Sequence, residues 1–288
     1  TLSELHPPRQ FVAGETSIPV TGKVFGAEEL RAATKASLDF WLTSGPYTEE
    51  FESRFAKVVG MRHAFMVNSG SSANLLALSS LTSPAHGERT LKPGDEVICP
   101  AFTYVATAEV IGLLGLTPVM VDVDPNTCNI DLNDLESKIN QFTKAILVVH
   151  WGGYPVDLNK LLMIQKKSLE KYGFAPAIIE DCAHAFGSKY NNKLVGSHGN
   201  ICTFSFQAIK HLTSGDGGCV VFNNENDVRR AKLLRWFGIN RDENRKDFRC
   251  EEDIQEIGYK MHMNDINASI GLENLPYAKD FVVNSHKK

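Results

Sequence analysis

Seven short apolar, β-rich runs alternate with helix-compatible stretches along the middle of the chain. The runs span residues 63–69, 96–102, 117–123, 145–151, 177–182, 201–206 and 218–223. Most are continuous apolar stretches, as expected of strands that are covered on both faces. Helices are predicted between the first five runs, over 72–81, 103–114, 132–140 and 157–172. The alternation predicts an α/β fold with a mostly parallel, seven-stranded sheet and helices on both faces.

The last connection between these runs differs from the others. Only eleven residues, 207–217, separate the sixth run from the seventh, and their second half is rich in Gly, Ser and Thr. A parallel crossover needs a dozen or more residues and usually a helix. We therefore expect the seventh strand to run antiparallel, which makes the sheet mixed.

The flanking regions are predicted from their breakers and charges. Residues 1–60 are expected to form an N-terminal arm and one helix over 28–42, which the Thr-Ser-Gly-Pro sequence at 43–46 ends. The large domain is expected to span 61–240, and a helix is predicted over 227–236. Residues 241–288 are expected to begin with a charged, solvated loop.

Composition excludes several classes of function. With 288 residues, 43% hydrophobic and 22% charged, the chain is an ordinary globular one, and its net charge of −4 argues against a general nucleic-acid binder or a basic membrane face. No apolar run approaches the roughly 20 residues that span a bilayer. The six cysteines lack metal-ligand spacing. We expect a cytoplasmic enzyme with reduced thiols, no metal, and neither membrane nor nucleic-acid partners.

The chemistry centres on an acid and a lysine. Asp181 ends the fifth apolar run, and Lys210 follows 29 residues later in the Ser- and Gly-rich turn. This pairing suits pyridoxal 5′-phosphate (PLP), because the lysine forms an imine with the cofactor aldehyde and the carboxylate keeps the pyridine nitrogen protonated. Taken alone, each has an ordinary explanation, as a surface lysine and a turn acid.

Further candidates follow other strands at their C-terminal ends, where open α/β sheets collect ligands. The stretch 69–72, Ser-Gly-Ser-Ser, opens a helix and can cradle a phosphate or simply cap that helix. Ser205 offers another hydroxyl to the phosphate. Tyr104 can stack on a planar ring or be a core aromatic. His184 can hydrogen-bond the cofactor phenolic oxygen or a ligand carboxylate, or be structural.

Together these stretches resemble the DegT/DnrJ/EryC1/StrS family of PLP-dependent sugar aminotransferases, which have fold type I. The resemblance rests on VNSGSSANLLAL (67–78), GDEVICPAFTYVATAEVI (94–111), GLTPVMVDVDPNTCNID (115–131), VVHWGGYPVDL (148–158), IIEDCAHAFGS (178–188), FSFQAIKHLTSGDGG (204–218) and GYKMHMNDINASIG (258–271). It implies a three-layer large domain, a nucleotide-linked keto-deoxysugar as substrate, L-glutamate as the amino donor, and a homodimer with shared active sites.

The resemblance also implies roles for individual residues. Lys210 is the expected Schiff-base lysine and proton carrier, Asp181 the partner of the pyridinium nitrogen, and His184 a helper near the cofactor hydroxyl. The expected cofactor-binding set is Gly70, Ser71, Tyr104, Asp181, Ser205 and Lys210. Lys260 or His262 is expected to serve the neighbouring subunit, although the family often has Asn in this region.

A second resemblance competes on the reaction. Residues 11–30, 38–52 and 81–97 resemble the CDP-4-keto-6-deoxyglucose 3-dehydrase branch, which has histidine instead of the imine lysine and cysteines for an iron–sulfur cluster. Here Lys210 is present with His211 beside it, and Cys250 has no second cysteine nearby. Transamination is therefore favoured, with dehydration or an inactive PLP- and sugar-binding remnant as alternatives.

The end of the chain adds one expectation. Members of the family usually continue well beyond the stretch that matches 258–271, and there they build a small C-terminal domain. We expect the chain to be a fragment or a natural truncation in which this small domain is curtailed.

Overall fold

The computed structural model describes residues 10–18, 26–241, 254 and 256–285. The helices are α1 Ala27–Leu38, α2 Pro46–Val59, α3 Gly70–Ser80, α4 Val105–Leu113, α5 Leu132–Lys138, α6 Leu158–Tyr172, α7 Glu225–Arg235 and α8 Asp265–Ser285. The strands are β1 His63–Val67, β2 Glu96–Pro100, β3 Thr117–Val121, β4 Thr143–Val149, β5 Ala177–Asp181, β6 Lys189–Tyr190, β7 Lys193–Leu194, β8 Ile201–Ser205 and β9 Gly218–Phe222. Among the described helices, none combines the length and apolar character needed to cross a membrane.

Seven strands form one mixed sheet in the order β1-β9-β8-β5-β4-β2-β3. Strand β9 pairs antiparallel with both β1 and β8, and all other pairs are parallel. The prediction of an antiparallel seventh strand is confirmed, and its cause is the short connection from β8. Strands β6 and β7 form a separate two-stranded hairpin that the sequence did not predict.

Helices cover the sheet on both faces, as predicted. Successive side chains of a strand point to opposite faces. In β1, Phe65 and Val67 join a core cluster with α3, α4 and α7, whereas Ala64 and Met66 join a second cluster with α2 and α8. The middle strands are therefore buried on both sides, which explains their continuous apolar sequences.

Aromatic rings on the second face hold the region that leads to Lys210. Phe55 of α2 lies at the centre, with ring centroids 5.1 Å from Phe204 and 5.3 Å from Phe206. Phe51 lies 5.3 Å from Phe206 on another side. The two pairs that Phe55 makes are edge to face, a geometry that adds stabilisation beyond burial alone. Because Phe206 directly follows β8, the cluster anchors the start of the loop that carries Lys210.

The expectation of one helix within residues 1–60 is wrong, because the structure has two there. Helix α1 ends at Leu38, before a Phe40 with a left-handed φ of 58°, which no helix accommodates. The breakers at 43–46 therefore lie beyond the end of α1, and they start the next helix: Pro46 occupies the first turn of α2. Asp265 accepts hydrogen bonds from the backbone N–H groups of Gly45 and Thr48 at 2.8 and 3.0 Å.

Helix α8 was also absent from the sequence-based expectations, and it packs against α1 and α2. Other expectations fall wholly or partly on residues outside the described ranges. These are the N-terminal arm, most of the charged loop at 240–256, and Cys250. The domain boundaries at residues 60 and 240 remain predictions.

Candidate active site

A cavity of about 590 Å³ opens at the carboxyl ends of the parallel strands. It brings together the residues predicted to act on the cofactor within one subunit, namely Gly70, Ser71, Tyr104, Asp181, His184, Ser205 and Lys210. Its wall also contains residues that the sequence did not single out, among them Asn74, Thr103, Thr107, Trp151 and Thr203. The structure thus places the predicted set in one site, while the role of each residue remains a prediction.

The Lys210 loop is held at its base and from one side. The Phe206 N–H donates to the Gly217 carbonyl at 2.8 Å, and the Ser214 N–H donates to the Phe206 carbonyl at 3.0 Å. From α8, the Asn267 side-chain amide donates to the Ser214 carbonyl at 2.8 Å. Lys210 therefore projects from a loop that the sheet and α8 fix together.

The Lys210 amine lies in a half-buried setting. Burial lowers the pKa of its ammonium group, and the negative charge of Asp181 opposes that shift. A lowered pKa increases the fraction of free amine, which is the form that attacks a carbonyl carbon. The environment of Lys210 thus favours a nucleophile over a permanently charged surface lysine.

Three hydrogen-bond donors converge on the Asp181 carboxylate, which is 5% exposed. Oδ2 accepts from Asn74 Nδ2 at 2.9 Å and from Thr107 Oγ1 at 3.2 Å. Oδ1 accepts from the Ala183 N–H at 3.0 Å. An ionised carboxylate has only acceptors to offer, so this set of donors matches it.

His184 lines the cavity beside Trp151. Its Nδ1 accepts the Gly152 N–H at 3.4 Å, and the two rings meet edge to face with centroids 5.3 Å apart. Burial is the main cause that lowers the pKa of His184, followed by the charge of Lys210, while Asp181 opposes them. The imidazole is therefore kept neutral, with its proton on Nε2, and can donate one hydrogen bond.

A buried pair beneath this wall fixes the turn that carries Trp151. His150 Nε2 lies 2.8 Å from Glu180 Oε2, and both side chains are fully buried. The Val156 N–H donates to His150 Nδ1 at 3.0 Å, so the ring proton lies on Nε2 and donates to Glu180. A metal ion would need that same Nε2 as an unprotonated ligand. We therefore interpret His150, Glu180 and the neighbouring Cys182 as a structural group.

The start of α3 forms the end of the cavity that suits an anion. Ser69 caps the helix by accepting the Ser72 N–H at 3.1 Å. The N–H groups of Gly70 and Ser71 precede the first intrahelical bond and lie at the positive end of the helix dipole. A Cβ atom at Gly70 would lie only 2.8 Å from the Ser205 Cβ, so glycine lets the helix approach β8 this closely.

Gly70→Ala is expected to weaken PLP binding. The added methyl group must displace either the start of α3 or Ser205, and both are predicted to hold the phosphate. We expect the Kd for PLP, measured by absorbance titration, to rise about tenfold or more, as when one hydrogen bond to a charged group is lost. Gly112→Ala on α4 is the control, since a Cβ there meets nothing within 4 Å. An unchanged Kd for Gly70→Ala would remove this helix start from the phosphate site.

The residues present fit PLP. Besides the anion site, the carboxylate and the amine, the cavity wall holds the buried Oγ1 of Thr103, which has no hydrogen-bond partner within the described structure. A buried hydroxyl without a partner is costly unless a ligand satisfies it. Tyr104 is the N-cap residue of α4 and is 69% exposed, so its ring is available to a bound group.

Comparison with known proteins decides the family. The sequence profile of the DegT/DnrJ/EryC1/StrS aminotransferase family matches residues 24–288. The chain belongs to this family. The prediction of a PLP-dependent enzyme of fold type I from a sugar aminotransferase family is thereby confirmed.

Individual relatives of the family align over most of this chain. The lipopolysaccharide biosynthesis protein RfbH of Salmonella typhimurium is 36% identical, over 97% of this chain and 67% of its own length. The sugar aminotransferase CalS13 of Micromonospora echinospora has a TM-score of 0.84 at 37% identity, covering 92% of this chain and 69% of that one. The GDP-4-keto-6-deoxymannose-3-dehydratase ColD, with bound GDP-perosamine, has a TM-score of 0.82 at 30% identity, covering 91% and 68%.

Proposed function

We propose that this enzyme transfers the amino group of L-glutamate to the keto carbon of a nucleotide-linked keto-deoxysugar. The products are 2-oxoglutarate and the corresponding amino sugar. The observation that carries the proposal is the presence of Lys210 and Asp181 in one cavity, with the capped start of α3 in its wall. The proposal is tested by incubating the protein with PLP and both substrates. Formation of neither product would refute it.

Each residue of the site has a defined task in this reaction. PLP, when bound, supplies an electron sink for the negative charge that develops on the reacting carbon. Lys210 Nζ removes the proton from the Cα of the donor and returns a proton to the sugar carbon. Asp181 holds a proton on the ring nitrogen, and Nε2–H of His184 donates to an acceptor oxygen in the cavity. The N–H groups of Gly70 and Ser71 and the Ser205 hydroxyl bind the phosphate.

The substrate class is inferred from the relatives. CalS13 is a sugar aminotransferase, RfbH acts in lipopolysaccharide biosynthesis, and ColD holds a nucleotide-linked sugar. These facts concern those proteins, and they support a nucleotide-linked sugar as the acceptor here.

Dehydration is the second candidate, and the likeness to ColD favours it. The dehydrase branch has a histidine at the position of the imine lysine. Here the cavity contains Lys210, whose amine can carry protons in both halves of a transamination. This difference is why transamination is the primary proposal.

We further propose that the enzyme is a homodimer in which Lys260 contacts the site of the neighbouring subunit. Lys260 is exposed, with Nζ 5.5 Å from the Trp236 ring centroid. His262 is less suitable, because its ring packs on Trp236 and its Nε2 lies 3.0 Å from Thr43 Oγ1. The pKa of His262 is lowered to about 4, mainly by burial and next by the charge of Lys260. The His262 ring is therefore not a cation that could attract phosphate at neutral pH.

A mixing experiment tests this sharing. Lys210→Ala and Lys260→Ala are each expected to be nearly inactive as pure proteins. Mixed dimers contain one site in which both lysines are present. Random exchange is expected to restore roughly one quarter of the wild-type activity. If mixing restores nothing, Lys260 does not act across the subunits. Each variant mixed with itself is the control.

A further inference from the structure

A chain of buried polar groups leads away from Asp181. Asn74 of α3 donates from Nδ2 to Asp181 Oδ2 at 2.9 Å, and Thr203 of β8 donates from Oγ1 to Asn74 Oδ1 at 2.6 Å. Thr203 is 1% exposed and Asn74 is 4% exposed. Asp181 and Thr203 are paired directly across β5 and β8, so their side chains leave the same face of the sheet.

The orientation of the Asn74 amide follows from its two partners. A carboxylate can only accept, so the Nδ2 group must face Asp181. Oδ1 then faces Thr203, whose hydroxyl must donate. Thr203 therefore determines which way the amide points, and a residue without this hydroxyl leaves Oδ1 of Asn74 buried without a donor.

The two oxygens of Asp181 accept different numbers of hydrogen bonds. Oδ2 accepts from both Asn74 and Thr107, which fills its two acceptor positions. Oδ1 accepts only from the Ala183 N–H among the described groups, so one acceptor position is left there. Asp181 lines the cavity. The oxygen available to a ligand donor is therefore Oδ1.

We propose that Asn74 and Thr203 are positioning residues for the cofactor. Thr203 orients the Asn74 amide, the amide and Thr107 occupy Oδ2, and Oδ1 is left to receive the N–H of the PLP ring. This inference rests on the proposed function, since it requires PLP in the cavity. Asn74 and Thr203 act on the cofactor through Asp181.

Thr203→Val and Thr203→Ser form the matched pair of variants. Valine has nearly the shape of threonine but cannot donate, whereas serine keeps the hydroxyl. For Thr203→Val we expect kcat to fall by about tenfold to a hundredfold with the KM for L-glutamate unchanged, since misplaced catalytic groups cost this much. The pH at which the visible absorbance of bound PLP titrates should shift by about half a unit or more. Thr203→Ser should restore both quantities.

A variant of Asn74 tests independently whether Thr203 acts on Asp181 through Asn74. We call this chain of hydrogen bonds, from Thr203 to Asn74 to Asp181, the relay. Asn74→Asp keeps the shape but replaces the donor by an acceptor, and it should shift the same absorbance titration. In the background of Asn74→Asp, adding Thr203→Val should lower kcat little further, because Thr203 acts only through Asn74. Full additivity of the two losses would overturn the relay.

The outcomes separate this inference from the proposed function. Wild-type protein that develops no visible absorbance with PLP refutes both. Normal PLP binding and turnover in the wild type, together with wild-type kcat and titration in Thr203→Val, overturns the relay alone. A lowered Tm accompanied by unchanged kcat and titration likewise assigns Thr203 a structural role only.

Discussion

Lys210→Ala is expected to lower transamination by on the order of 10²–10⁴-fold, the contribution typical of a positioned proton-transferring group. The variant should also lose the visible absorbance that PLP shows when it is bound to a lysine, because no other lysine is among the described residues that line the cavity. PLP can still occupy the anion site, so binding is weakened rather than abolished. The measurements are the absorbance spectrum with added PLP and the rate of 2-oxoglutarate formation.

A surface lysine provides the control for this experiment. Lys166→Ala removes an exposed amine from α6. Its Nζ lies 3.8 Å from Oε1 of Glu170, one turn further along the same helix. This variant should leave spectrum and rate unchanged. Visible absorbance that persists in Lys210→Ala would contradict the assignment of this lysine.

Asp181→Asn is expected to keep some PLP yet lower kcat by about a hundredfold or more, as for loss of a preorganised electrostatic group. A neutral amide cannot stabilise a proton on the ring nitrogen. Its NH₂ group would replace one of the two oxygens and face the donors there, either the Ala183 N–H or the donors of Asn74 and Thr107. A buried donor without an acceptor costs about 1–3 kcal/mol, so Tm should fall as well.

The control variant for Asp181→Asn is Asp95→Asn. Asp95 also accepts a backbone N–H, from Lys92 at 2.7 Å, but it lies on the surface outside the cavity. Its kcat should equal that of the wild type. An undiminished kcat in Asp181→Asn would exclude Asp181 from the reaction.

The sheet could be predicted from the sequence because burial on both faces requires continuous apolar strands. The short β8–β9 connection also showed which strand runs antiparallel. Helix α2 was missed because Gly and Pro are found both after the end of a helix and at its start. Gly45 and Pro46 were read as the end of one helix, but they start the next. The start of α2 depends on Asp265, which is more than 200 residues away in sequence and meets Gly45 only in the folded chain.

Some residues of the candidate site could be predicted from the sequence and others could not. Asp181 and Lys210 were predicted because a charged residue at a strand end and a lysine in a glycine-rich turn stand out from their surroundings. Asn74, Thr107 and Thr203 lie inside apolar helices or strands, where a single polar residue attracts little attention. Their hydrogen bonds around Asp181 form only when the fold brings α3, α4 and β8 together beside β5. A polar residue within a buried run was the signal that could have found them.

The most direct test of the account follows the amino group itself. The protein is given PLP, L-glutamate with an isotope-labelled amino group, and a nucleotide-linked 4-keto-6-deoxyhexose, and the products are analysed by mass spectrometry and NMR. We expect the label to appear on a ring carbon of the sugar, with one 2-oxoglutarate formed for each amino sugar. Label released as ammonium, together with a sugar that has lost a ring hydroxyl, would identify a dehydratase and contradict the account.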